Sequence, residues 1–141
     1  MTDNMTIWDA LSKTDPSQTK PFSRSGGFKG TAVKPIWITK RLTEQFGAIG
    51  VGWGVFKPTF QVIPAGDEIL VYCWVECWHT KPENTFYGVG GDKVASKRQS
   101  GIFADDEAFK KAFTDAVGNA FKFTGVSADV HMGLFDDSKY V

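Results

Sequence analysis

The chain has 141 residues, enough for one domain with a substantial hydrophobic core. Its 16 Lys and Arg balance 16 Asp and Glu, so the formal net charge is zero, which excludes a uniformly basic nucleic-acid binder. No apolar run is long enough to cross a bilayer and the N-terminus shows no signal-peptide pattern, so a soluble, cytoplasmic protein is expected.

The first 34 residues are polar and rich in Ser, Thr, Lys and Gly, with Pro16 and Pro21. They read as a basic N-terminal arm, extended apart from one anchor helix around Ile7 to Leu11. From Lys13 to Arg41 the basic residues are Lys13, Lys20, Arg24, Lys29, Lys34, Lys40 and Arg41, against Asp15 alone. Such asymmetry suits a positive groove on an otherwise neutral body, or head-to-tail electrostatic packing of subunits.

Residues 35–141 read as the core domain. A short helix opens it, with Pro35 in its first turn, Ile38, Leu42 and Phe46 on one face, and Gly47 as terminator. The glycine-interleaved run from Ile49 to Phe56 reads as a strand with a bare face at Gly50, Gly52 and Gly54. Phe60 to Ile63 continues as a strand, and Pro64-Ala65-Gly66-Asp67 makes a turn. Glu68 to Trp78 is the clearest strand, with Ile69, Val71, Cys73, Val75 and Cys77 small and apolar on one face. Cys73 and Cys77 would lie roughly 13 Å apart in an extended strand, beyond disulfide reach, so both are expected as reduced structural thiols. A hairpin loop at Lys81-Pro82-Glu83-Asn84 turns the chain, Thr85 to Val89 pairs back before Gly90-Gly91, and a Lys97-Arg98 loop follows.

The last long element is a helix capped by Asp105, with Asp106 and Glu107 where the dipole favours negative charge and Gly125 as its stop. Phe109, Phe113, Val117 and Phe121 recur every four residues beside Ala112, Ala116 and Ala120. The other side carries Lys110, Lys111, Thr114, Gly118, Asn119 and Lys122. A mid-helix glycine costs about 1 kcal/mol relative to Ala, which suggests close approach of another backbone; a plain solvated face is the alternative. The expected fold is α+β: an N-terminal arm and short helix, a three-stranded antiparallel meander, and a long C-terminal amphipathic helix packed on the sheet.

The ordered set Glu44-Gln45-Phe46-Gly47, Gly52-Trp53-Gly54, and Thr114-Asp115-Ala116 through Asp136-Asp137-Ser138-Lys139-Tyr140-Val141 resembles phage single-strand annealing proteins of the Rad-fifty-two-like superfamily. The segment Lys13-Thr14-Asp15-Pro16 is similar to a further segment of those proteins, so the resemblance spans nearly the whole chain. It implies ATP-independent binding of single-stranded DNA and annealing of complementary strands in phage homologous recombination or repair. It also implies a homo-oligomeric ring or filament with a basic groove, no catalytic residues, no metal and no cofactor. Phage or host exonuclease, or a single-strand binding protein, is the implied protein partner, within a bacterial host cell.

By position, the resemblance implies DNA contacts at Lys40 and Arg41, and at Lys110 and Lys122 on the long helix, whose polar strip adds Lys111 to the candidates; Lys81, Lys97 and Arg98 fall at a second, outer site. Where eukaryotic members have a Lys-Arg pair, this chain has Gly118-Asn119, and Ala48 replaces an aromatic. Asn119 and the glycine amides would then supply hydrogen bonds, with work shifted to Lys20, Arg24, Lys29 and Lys34. Trp53 and Trp74 can stack on bases or fill the core. Asp129, His131, Asp136 and Asp137 match no standard metal-ligand spacing and suit a structural turn or a contact to a neighbouring subunit. The alternative reading is a passive single-stranded nucleic-acid-binding protein; a small enzyme would need an acid, base or nucleophile that no loop offers.

Overall fold

A computed structural model describes residues 3–23, 27 and 29–136. Arg24 of the basic arm and Asp137 to Val141 of the C-terminal motif lie outside the described residues. The chain forms two compact units, one comprising Met1–Ala48 with Lys122–Val141, the other Ile49–Phe121.

In the first unit, helix α1 (Thr6–Leu11) is followed by a single 3-10 turn at Pro16–Gln18. Asp15 caps that turn by accepting from the Ser17 N–H and hydroxyl, both at 2.9 Å. Strands β1 (Thr19–Ser23) and β2 (Lys29–Val33) then pair antiparallel as a separate two-stranded sheet, where an extended arm was expected. Helix α2 (Pro35–Phe46) starts on Pro35, whose missing N–H is no loss in a first turn, and ends on Gly47 at φ 109°. After a 3-10 turn at Lys122–Thr124 comes the short helix α4 (Ala128–His131). Leu11, Leu42 and Val126 are fully buried in this unit. Gly125, at φ 97°, lies so close to the Trp8 indole that an added Cβ would come within 2.6 Å of it.

In the second unit, strands β3 (Trp53–Val55), β4 (Thr59–Ala65), β5 (Glu68–His79), β6 (Thr85–Arg98) and β7 (Gly101–Ala104) build one antiparallel sheet. The order is β3-β5-β6-β7, with β4 also on β5. Helix α3 (Ala108–Phe121) packs on β5 and β6. The expected three-stranded meander with one long C-terminal helix is therefore corrected. The sheet has five strands, a second sheet has two, and four helices are present among the described residues.

Two sequence signals misled. Gly90-Gly91 reads as a terminator, yet β6 runs through both glycines to Arg98, so Lys97 and Arg98 end a strand and pair with Ile102 and Gly101 of β7. The glycines have a packing cause. A Cβ on Gly88 would stand 2.3 Å from the Ala116 carbonyl oxygen, and one on Gly90 would stand 2.3 Å from the Ala116 nitrogen. Ala112, Ala116 and Ala120 present the matching small face, so helix and strand meet backbone to backbone. The glycine-rich run before them forms only three strand residues, leaving Ile49 and Val51 exposed.

The α3 side of the sheet is the core of this unit. Val71, Cys73, Val75 and Cys77 of β5 are buried there, and Phe121 meets Trp53 and Phe86 edge-on at ring-centroid distances of 5.3 and 5.0 Å. Both thiols are free, and burial, with Glu76 adding to it, pushes Cys77 up to about 12. The other side of the sheet carries Leu70, Tyr72, Trp74 and Glu76 of β5, with Tyr87, Val89 and Lys93 of β6 beside them.

Candidate nucleic-acid interface

The ten residues singled out for DNA contact divide between the units. Lys40, Arg41 and Lys122 belong to the first; Trp53, Lys81, Lys97, Arg98, Lys110, Lys111 and Asn119 belong to the second.

Arg41 sits on α2 with its guanidinium on the Ala10 carbonyl at the end of α1, and it pairs with Glu44 at 3.1 Å. A cation at a helix C-terminus is favourable for the dipole, so Arg41 has a structural task that the sequence did not announce. Lys40 and Arg41 both lie near the Trp37 ring, at 5.7 and 5.9 Å from its centroid. The Ser17 hydrogen bonds hold the Asp15 carboxyl below its ordinary value, and Lys40 adds in the same direction. Lys122 is exposed next to α4, where burial and then Lys122 itself push His131 down against the opposing pull of Asp129.

In the second unit the expected contacts are largely engaged with the protein. Trp53 is 2% exposed in the core, so it offers no ring face to a base and its stacking role is withdrawn. Trp74, on the outer side of β5, is 40% exposed and lies 6.4 Å from Tyr72 between ring centroids. Asn119 donates through Nδ2 to the Val89 carbonyl at 2.8 Å, and Asp115 accepts from the Gly91 N–H at 3.1 Å. These two side chains close two outward backbone groups of β6. Lys110 pairs with Glu107 at 2.9 Å, and Lys111 with Asp105 at 2.8 Å. Asp105 also caps α3 by accepting from the Glu107 N–H at 2.9 Å. The Lys111 hydrogen bond is the first cause holding its carboxyl low.

Lys97 and Arg98 are exposed at the far end of β6, with Arg98 at 4.5 Å from the Phe103 ring centroid. Lys81 is exposed in the β5–β6 loop at the opposite end. A strand of 14 residues separates them, about 40 Å at the usual rise, so they do not form one patch.

One constellation was invisible as a unit in the sequence. Asp129 is 4% exposed and accepts from the Thr14 hydroxyl at 2.7 Å and the Thr14 N–H at 2.9 Å. The neighbouring Ser127 and Asp129 N–H groups donate to Leu11 and Ser12 carbonyls at 3.0 and 3.1 Å. Two motif segments 115 residues apart thus close on each other in the first unit, and the Asp129 carboxylate is spent on backbone and hydroxyl donors. Among the described residues no group of three or more His, Cys, Asp and Glu is placed to hold a metal, and no helix is long and apolar enough to cross a membrane. No protein-family model matches this chain, and no curated protein matches it either.

Proposed function

We propose that the chain is an ATP-independent, oligomeric single-strand annealing protein that binds single-stranded DNA through the basic segment of its first unit. The observation that carries this reading is the ordered set of family-like segments. Two of them, Thr14-Asp15-Pro16 and Ser127-Ala128-Asp129, meet in one buried contact. The charge supports the location. Between Lys13 and Arg41 the only carboxylate is Asp15, and that group already accepts two hydrogen bonds from Ser17. In the second unit, Lys93, Lys110 and Lys111 each face a carboxylate. Phosphates are held by Lys and Arg while base edges stay open for the second strand, and weak sites on adjoining copies add along one strand.

The test follows two complementary labelled oligonucleotides annealing at several salt concentrations without ATP. Each phosphate contact on a single strand contributes about 0.7 to the salt slope, so Lys20→Ala/Lys40→Ala, two exposed residues of that segment, should flatten the slope by about 1.4 and slow pairing. Lys110→Ala/Lys111→Ala should change it far less. Binding without faster pairing would leave a passive single-strand binder, and absence of binding would sink both readings.

A further inference from the structure

The five-stranded sheet has two open edges of different kinds. Strand β4 pairs only with β5, and β7 only with β6, among the described residues. All four residues of β7 are exposed, and β4 is exposed at every position except Ile63. Neither strand carries a charge, although exposed edges are ordinarily blunted by Lys or a bulge. β4 has Pro64 near its end, whereas β7 has nothing of the sort. The rest of β6's outer edge is treated differently. Asn119 fills the Val89 carbonyl, Asp115 takes the Gly91 N–H, and the Asp105 N–H donates to the Val94 carbonyl at 2.8 Å. Side-chain and backbone partners therefore close part of one edge and leave β7 open.

The directions of the strands say what fits there. β4 and β6 are both antiparallel to β5, and β7 is antiparallel to β6, so β7 runs opposite to β4. A second copy placed beside the first in the same orientation thus meets β4 with its own β7 antiparallel, the better-bonded arrangement. The side chains agree as well. Phe60 and Val62 lie on the α3 side, opposite buried Cys73 and Val71, and Ile102 lies on that same side, opposite Lys97. Val62 is 50% and Ile102 81% exposed, so both present apolar surface to solvent among the described residues.

We propose that copies of this chain join head to tail, β4 of one pairing antiparallel with β7 of the next to extend the sheet. This deepens the oligomeric part of the reading above and names its surface. A two-fold pairing of like edges would cover one edge and leave the other open. The head-to-tail contact covers both, and it repeats until it closes as a ring or continues as a filament. The ladder is short, so assembly depends on concentration and on closure.

Sedimentation velocity on the full chain tests this with two single substitutions at exposed sites, Val62→Lys and Ile102→Lys. Circular dichroism melts confirm that each variant folds, and Val62→Glu and Ile102→Glu replace any that does not. Wild type should assemble to several times 15.5 kDa, and each variant alone should run near 15.5 kDa. An equimolar mixture should give a species of about twice that mass, because one intact β4 edge and one intact β7 edge remain. A monomeric wild type, unchanged variants, or one variant that assembles normally would overturn the proposal. Annealing is measured on the same samples. Assembly without annealing sinks the functional reading alone, and annealing by a monomer sinks the edge contact and the oligomeric part of that reading while leaving annealing itself.

Discussion

Replacing Gly90 by Ala should strip much of the stability of the second unit, because there is no flexible group to yield. The added methyl would lie 2.3 Å from the Ala116 nitrogen, 2.6 Å from the Ala112 oxygen and 2.8 Å from the Asp115 carbonyl carbon. Ordinary contact begins at 3.4 Å, so α3 must retreat by about 1 Å, and every obstructing atom is helix backbone. A gap of that size forfeits a quarter to a half of each dispersion contact along the fully buried Ala112, Ala116 and Ala120. Overpacking of this kind costs about 3 kcal/mol, the upper end of the usual range. Reduced freedom of the unfolded chain returns roughly 0.5–1 kcal/mol. The net loss of about 2 kcal/mol corresponds to a fall in Tm of about 8 °C for a chain of this size. Thermal melts by circular dichroism should compare it with Gly91→Ala, whose methyl meets the movable Tyr72 ring at 3.0 Å and the Val71 carbonyl oxygen at an ordinary 3.4 Å. If Gly90→Ala melts no lower than Gly91→Ala, the backbone-to-backbone contact is not what holds α3 to the sheet.

Two further outcomes are expected. Asp129→Ala leaves the buried Thr14 N–H and hydroxyl without their acceptor and should cost about 3 kcal/mol in urea unfolding, with Thr14→Val milder because its N–H keeps the carboxylate; equal stabilities would discount the contact. The Cys77 thiol has its ordinary value of 9.0 raised to about 12, so the unfolded chain releases this proton first as pH rises. Its contribution is whole below pH 9 and is lost between there and about 12, at up to about 1.4 kcal/mol per pH unit. Urea titrations from pH 8 to 11 should show that slope in wild type minus Cys77→Ala, and a flat difference would refute it.

Local chemistry was readable wherever the cause lay within a few residues. Pro35 and Gly47 bracket α2, Asp105 caps α3, and the alternation through Val71, Cys73, Val75 and Cys77 gives the buried side of β5. The reading broke where a residue answers to something distant in the chain. Gly118 suggested a close approach on the helix, but the close approach found lies at Gly88 and Gly90, because the alanine face of α3 lands on β6. Lys20 and Lys29 looked like part of a loose arm, whereas pairing of Thr19 with Val33 through Ser23 with Lys29 makes that arm a small sheet. β7 has only four residues and one aromatic, too short for alternation to declare it.

The candidate site shows the same division, with one signal that was present and underused. Glu107 and Lys110 are three apart on a helix, a spacing that brings opposite charges together, so the loss of Lys110 as an unopposed cation was readable. The pairing of Lys111 with Asp105 and the hold of Arg41 on Ala10 depend on how the chain folds back, and no spacing reveals them. Exposed ion pairs of this kind add little to stability, but each lowers the local potential that a phosphate would feel. Counting charges by unit makes the consequence concrete. The first unit has nine Lys and Arg against seven Asp and Glu, the second seven against nine, so the neutral whole conceals a division of sign. The run between Lys13 and Arg41 holds the fewest carboxylates, while Lys110 and Lys111 of the long helix, the most conspicuous basic element in the sequence, stand beside Glu107 and Asp105.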